Sequence, residues 1–230
     1  MNTFQEKFKI YFKNHPITTI ILLLNLFMVI VLLVMGGFTI ENLVKLGGLV
    51  PAKISEDGDY HRLVLSMFLH GSLLHFLFNS YFLYHLGGFV EKLLGRSKFI
   101  IIYFISGIGS SLLVWWLGDP YKVTIGASGA LFGIMGALLV LTYIKTSWFN
   151  IYTIKNIRTL VVINLIFTFL ARNISVLGHL GGFITGIGLI YLLTPKNPLE
   201  KNAFTFKKQK TTDVDIIDHD DIDDDDIYIS

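Results

Sequence analysis

Ser128 and His179 are the residues of this chain best suited to nucleophilic chemistry. A serine hydroxyl is a weak nucleophile at its ordinary acidity and becomes an active one when a neighbouring base takes its proton. Ser128 stands in Gly126-Ala127-Ser128-Gly129. His179 follows Gly178 at the head of a run that continues through Gly182 and Gly186. A third polar group runs from His70 through His75 to Asn79. His75 and Asn79 are four residues apart and share one helix face.

Each group enters an apolar stretch. Ile17 to Met35 is broken only by Asn25 and two threonines, and its roughly 28 Å matches the roughly 30 Å of bilayer hydrocarbon. It is too long for the apolar core of a signal peptide, and Gly36-Gly37-Phe38 is a poor cleavage site. Further spans are expected at Leu73–Val90, Phe99–Leu117, Ala130–Tyr143, Leu160–Leu170 and Leu180–Leu193. The last two need their flanks, 156–171 and 178–194, to cross fully. With six spans, one side of the membrane holds fourteen Lys and Arg and the other five, which predicts that both termini are cytoplasmic. Gly36 to His70 then reads as a long external loop with interfacial pieces.

The second, fourth and sixth spans all run inward from the outer side, so the three polar groups can meet near the outer leaflet. Gly129 and Gly133 stripe one face of the fourth span; Gly178, Gly182 and Gly186 stripe one face of the sixth. Small residues four apart let helix backbones approach closely. Such a crossing would bring a hydroxyl within reach of an imidazole. Taken singly, these residues have blander uses: a membrane serine bonds its own backbone, small residues pack, and His85 can snorkel toward an interface. Ser, His, His and Asn on three helices of one direction are harder to dismiss, because polar groups at membrane depth are expensive.

Composition agrees with a membrane setting. Of 230 residues 53% are apolar and 16% charged, and the mean hydropathy is +0.61. The net charge of +2 conceals nine acids between Asp213 and Asp226; Met1 to Thr212 carries nineteen bases against eight acids, or +11. The acidic stretch, interleaved with isoleucine, reads as a disordered tail. The lack of cysteine excludes a disulfide scaffold and a thiolate metal site. The bases lie in short connecting segments and form no basic face for nucleic acid. The organisation expected is a cytoplasmic N-terminus over 1–16, a membrane domain over 17–194 and a cytoplasmic tail over 195–230.

From about Asp59 to Thr194 the chain resembles the rhomboid family of intramembrane serine proteases. Gly126-Ala127-Ser128-Gly129 is similar to the family's GxSG element, and Gly178-His179 with Gly182 and Gly186 to its sixth-helix element. His70, His75 and Asn79 fall on the HxxxxHxxxN pattern, and Leu86 to Gly95 on the segment that closes the same helix. The resemblance implies an all-α polytopic bundle of six transmembrane helices with a long first loop. It makes Ser128 the nucleophile and His179 the general base, and His75, Asn79 and the Ser128 backbone N–H the holders of the oxyanion. Phe132 takes the place of an aromatic that stacks on the catalytic imidazole. His61-Arg62 stands where the family usually has Trp-Arg, a departure that bears on how the loop packs.

No Asp or Glu lies beside His179 in sequence, so a Ser–His dyad is expected. It needs no cofactor and no metal. A soluble α/β-hydrolase elbow would require glycine where Ala130 stands, and no HExxH motif is present. The implied partners are the lipid bilayer and single-pass membrane proteins, cut near the outer face. The implied location is a cell membrane, the compact form suggesting a bacterial plasma membrane. The rival readings are a catalytically inactive relative that binds membrane proteins for quality control, and a small transporter using the histidines as a relay.

Overall fold

The computed structural model describes residues 3–171 and 174–199, and among these every regular element is helical. α1 (Phe4–Asn14) opens on a reciprocal capping box between Thr3 and Glu6. α2 (Pro16–Val34) starts on a proline, whose missing N–H costs nothing at that position. Its next donors are met from far away in sequence. The buried Glu91 carboxylate accepts from Ile17 N at 2.9 Å and from Thr18 N and Thr18 Oγ1 at 2.8 Å. The acidic Asp213–Asp226 tail lies outside the described residues, as does Arg172.

The segment after α2 folds into three short helices, α3 (Ile40–Lys45), α4 (Pro51–Asp57) and α5 (Arg62–Leu65). Buried Arg62 ties them together, donating to Val44 O at 2.8 Å, to Gly48 O at 2.9 Å and to Asp59 Oδ2 at 2.8 Å. That hydrogen bond holds the Asp59 carboxyl below the usual carboxylate range. His61, where the family usually has Trp, is exposed.

The expected second span is more elaborate than one helix. α6 (Leu73–Phe82) passes into a π turn at Leu83–Gly87 and then α7 (Gly88–Leu94). A 93° bend separates it from Arg62–Phe68. The turn lies where the Tyr84 carbonyl accepts the Tyr11 hydroxyl at 2.6 Å, so α1 is pinned to it. α8 (Arg96–Leu117), α9 (Ser128–Ile144), α10 (Ile151–Leu170) and α11 (Val176–Leu193) complete the bundle. α10 begins nine residues before Leu160, because Asn150 caps it by accepting from Thr153 N at 2.8 Å.

Among the described residues four helices are long and apolar enough to cross a membrane: α2, α8, α10 and α11. The bent pair Arg62–Phe68 and Leu73–Leu94 makes a fifth if counted as one span, and apolar Ser128–Ile144 is shorter at 17 residues. The chain is thus a multi-pass, all-helical membrane protein.

α8, α9 and α11 form its densest packing. A Cβ placed on Gly182 would fall on the Gly129 carbonyl oxygen, and one on Gly186 on that of Gly133. Gly129 and Gly133 in turn face Ser110 and Ser106 of α8. Here backbone packs on backbone, the close approach that small residues permit.

Candidate active site

A cavity of about 860 Å³ opens among these helices, and Ser128, His179, His75, Asn79, Gly126, Gly129 and Phe132 all line it. Ser128 is the first residue of α9, where the helix leaves its leading N–H groups without intrahelical acceptors. The approach to Ser128 is held from outside the helix. Leu49 and Thr124 pair as an antiparallel bridge at 3.1 and 2.9 Å, Ala52 N bonds Pro120 O at 2.9 Å, and Gly126 N bonds Ser66 O at 2.9 Å. The Arg62-knotted segment thereby fixes where the chain turns into α9.

Gly126 makes that turn at φ 123, a left-handed conformation that only glycine adopts cheaply. A Cβ there would lie 2.9 Å from His75 Nε2 and 3.6 Å from Asn79 Nδ2. Both side-chain donors therefore face the backbone two residues before Ser128. The Ser72 hydroxyl starts their helix by accepting from His75 N at 3.1 Å. Gly71 N donates to His75 Nδ1 at 3.4 Å, a long bond that leaves the ring proton for Nε2. Asn79 is 6% exposed, and its Nδ2 makes no hydrogen bond among the described residues. A buried donor without an acceptor carries a penalty unless something else accepts its hydrogen bond. His70 packs behind this pair, fully buried and edge-on to the His75 and Phe76 rings at 5.1 and 5.6 Å, and does not line the cavity.

His179 enters on the first turn of α11, whose N-cap Ser175 accepts from Gly178 N at 3.1 Å. Its ring lies flat on Phe132, with centroids 4.0 Å apart and planes 16° from parallel. Gly182 and Gly186 are the crossing points on α9, outside the cavity lining.

One polar partner carries no signal in the sequence. Thr168, on α10 and 1% exposed, places its Oγ1 2.8 Å from His179 Nδ1. No Asp or Glu lines the cavity among the described residues, and none of their His, Asp and Glu side chains form a cluster that could hold a metal ion.

Residues 57–196, well over half of the chain, match the family model of the Rhomboid domain. The chain belongs to the rhomboid family. It is 35% identical over 170 residues to the rhomboid protease GluP of Bacillus subtilis (strain 168), an overlap of 74% of this chain and 33% of that protein. It is 37% identical over 169 residues to RHOMBOID-like protein 5 of Arabidopsis thaliana, covering 70% and 53%. The putative rhomboid protease YdcA of Bacillus subtilis is 30% identical over 140 residues, covering 61% and 70%. This rhomboid therefore spans about a third and about half of the length of the first two relatives, and the cavity-lining residues fall within the part that matches the family model.

Proposed function

We propose that this rhomboid is an intramembrane serine protease that cuts transmembrane proteins with a Ser128–His179 dyad. The observation that carries the reading is the sharing of one cavity by the hydroxyl at a helix N-terminus, an imidazole and two side-chain donors aimed at one point. The Ser128 hydroxyl attacks the scissile carbonyl, and its proton passes to His179. The carbonyl oxygen becomes an anion, received by the Ser128 N–H, His75 Nε2–H and Asn79 Nδ2–H. His179 then gives the proton to the departing amine, leaving an ester on Ser128. Water, activated by the same imidazole, hydrolyses the ester and restores both residues. Asn79 Nδ2 has no protein acceptor among the described residues and can donate to the oxyanion, and a donor held more strongly by that anion than by the substrate carbonyl accelerates the reaction.

In this reading residues 17–194 make six spans, with α9 and the bent helix included, and residues 1–16 and 195–230 lie in the cytoplasm. The cavity opens toward the outer face of a bacterial plasma membrane and receives single-pass substrates. No cofactor is required. Incubation of the purified protein with a model transmembrane substrate tests the reading. Wild type should cleave it and take up a serine-directed phosphonate at Ser128. Ser128→Ala and His179→Ala should fold and show no cleavage above background. Substantial cleavage by Ser128→Ala would remove the nucleophile assignment, and a folded wild type that neither cleaves nor labels would favour the inactive-relative reading.

A further inference from the structure

We infer that Thr168 is a positioning residue that sets the tautomer of His179, keeping the ring proton on Nδ1 and leaving Nε2 bare to act as the base. The inference rests on the protease reading for its consequence but not for its geometry. Thr168 Oγ1 lies 2.8 Å from His179 Nδ1 and equally 2.8 Å from the backbone carbonyl oxygen of Asn164. A threonine hydroxyl has one hydrogen to give and two lone pairs to offer. The Asn164 carbonyl can only accept, so the hydrogen goes there. His179 Nδ1 must then be the donor in the second bond, and Thr168 the acceptor. The three groups form a directed chain, imidazole N–H to hydroxyl to helix carbonyl.

The stack on Phe132 cannot do this work. Two flat faces at 4.0 Å fix the plane of the ring, yet the same stack survives a half-turn that exchanges the two edges of the imidazole. Only a hydrogen bond to one nitrogen distinguishes them. Dyads built with a carboxylate have this choice made by an acid. Here no acid lines the cavity among the described residues, and a neutral hydroxyl with its own proton committed elsewhere takes that place. When Nε2 takes the Ser128 proton, the Nδ1–H bond persists and strengthens, because its donor now carries charge.

Nitrogen-15 NMR of histidine-labelled protein reads the tautomer directly, since a protonated and a bare ring nitrogen resonate far apart; His179→Gln identifies the signal. In folded Ser128→Ala, which keeps the ring and its neighbours, the His179 signal should show a proton on Nδ1 and none on Nε2. Thr168→Val, which keeps the shape and loses the acceptor, should move the population toward Nε2–H. It should lower kcat of the otherwise intact protease by about 10–100-fold with KM changed less than about twofold, the scale of one hydrogen bond to a charged group. Thr168→Ser should restore both. A proton found on Nε2 in Ser128→Ala overturns the inference even if Thr168→Val fails to fold. So does a folded Thr168→Val with unchanged kcat. A proton on Nδ1 in a protein that never cleaves would instead remove the protease reading and leave the tautomer assignment standing.

Discussion

His179 is held from two sides in two different ways. Against α9 its ring stacks on Phe132 while its helix packs backbone on backbone, with Gly182 and Gly186 seated on the carbonyls of Gly129 and Gly133 and no room for one further carbon. Against α10 the contact is side chain on side chain, a single hydrogen bond between the imidazole and Thr168. α10 itself leans on α9 through apolar side chains, Val161 with Leu160 and Leu165 meeting Phe132, Met135 and Leu139. The first contact sets a distance, because backbones cannot move aside by changing rotamer. The second sets an orientation, because a hydrogen bond has a direction and a packing contact of glycines has none. The Ser128–His179 site thus divides position and aim between two neighbours of one helix.

The contrast breaks most completely at the glycines. Gly182→Val or Gly186→Val drives a branched side chain into a carbonyl, and the loss should reach or exceed the roughly 1–3 kcal/mol typical of overpacking. Thermal unfolding in detergent should show a clear fall in Tm together with loss of cleavage; normal values for both variants would mean that the crossing is not tight.

A change on the donor side should leave the framework intact. Asn79→Ala removes one donor and should lower kcat by about 10²–10³-fold with little change in KM. Phosphonate labelling of Ser128 should survive at a slower rate. Normal turnover per labelled site would assign Asn79 to packing alone.

The smallest effect is expected far from the dyad, at Asp59. Its folded carboxyl titrates below the ordinary range because Arg62 donates to the ionised form. A depressed folded pKa adds stability that is complete above the unfolded value near 4 and disappears as pH falls through the folded one. Asp59→Asn should therefore lower Tm slightly at neutral pH, and the two proteins should converge as the solution is acidified below about pH 4. A difference independent of pH would mean that the Asp59–Arg62 pairing does not depend on the charge.

Sequence reading reached the four polar side chains because an imidazole or an amide in an apolar span has few cheap explanations. It reached the two glycine stripes because a period of four survives any change of neighbour. Thr168 stayed hidden for an equally physical reason. A threonine in a membrane helix usually bonds the carbonyl four residues back, and Thr168 does so with Asn164, so its second bond leaves no trace in the sequence. Contacts between distant segments were just as silent. Nothing local pairs Leu49 with Thr124, or assigns Glu91 to the first donors of α2. The polar first half of α10, with Lys155, Asn156 and Arg158, masked its true start. Arg158 is accommodated by donating to Thr142 O at 2.9 Å and lying over the Tyr143 ring at 3.9 Å.

The glycine crossing also has a meaning in time. Ser128 leaves the ribosome 51 residues before His179, and α11 is the last of the described helices to be made. At about 5–20 residues per second, Ser128 exists for several seconds before His179, its base in the proposed dyad, has been synthesised. During that interval the proposed nucleophile has no imidazole from α11 to activate it. In that reading competence arrives in one step, when α11 closes on α9. The proposed protease would thereby be harmless to other inserting helices while its own chain is being made.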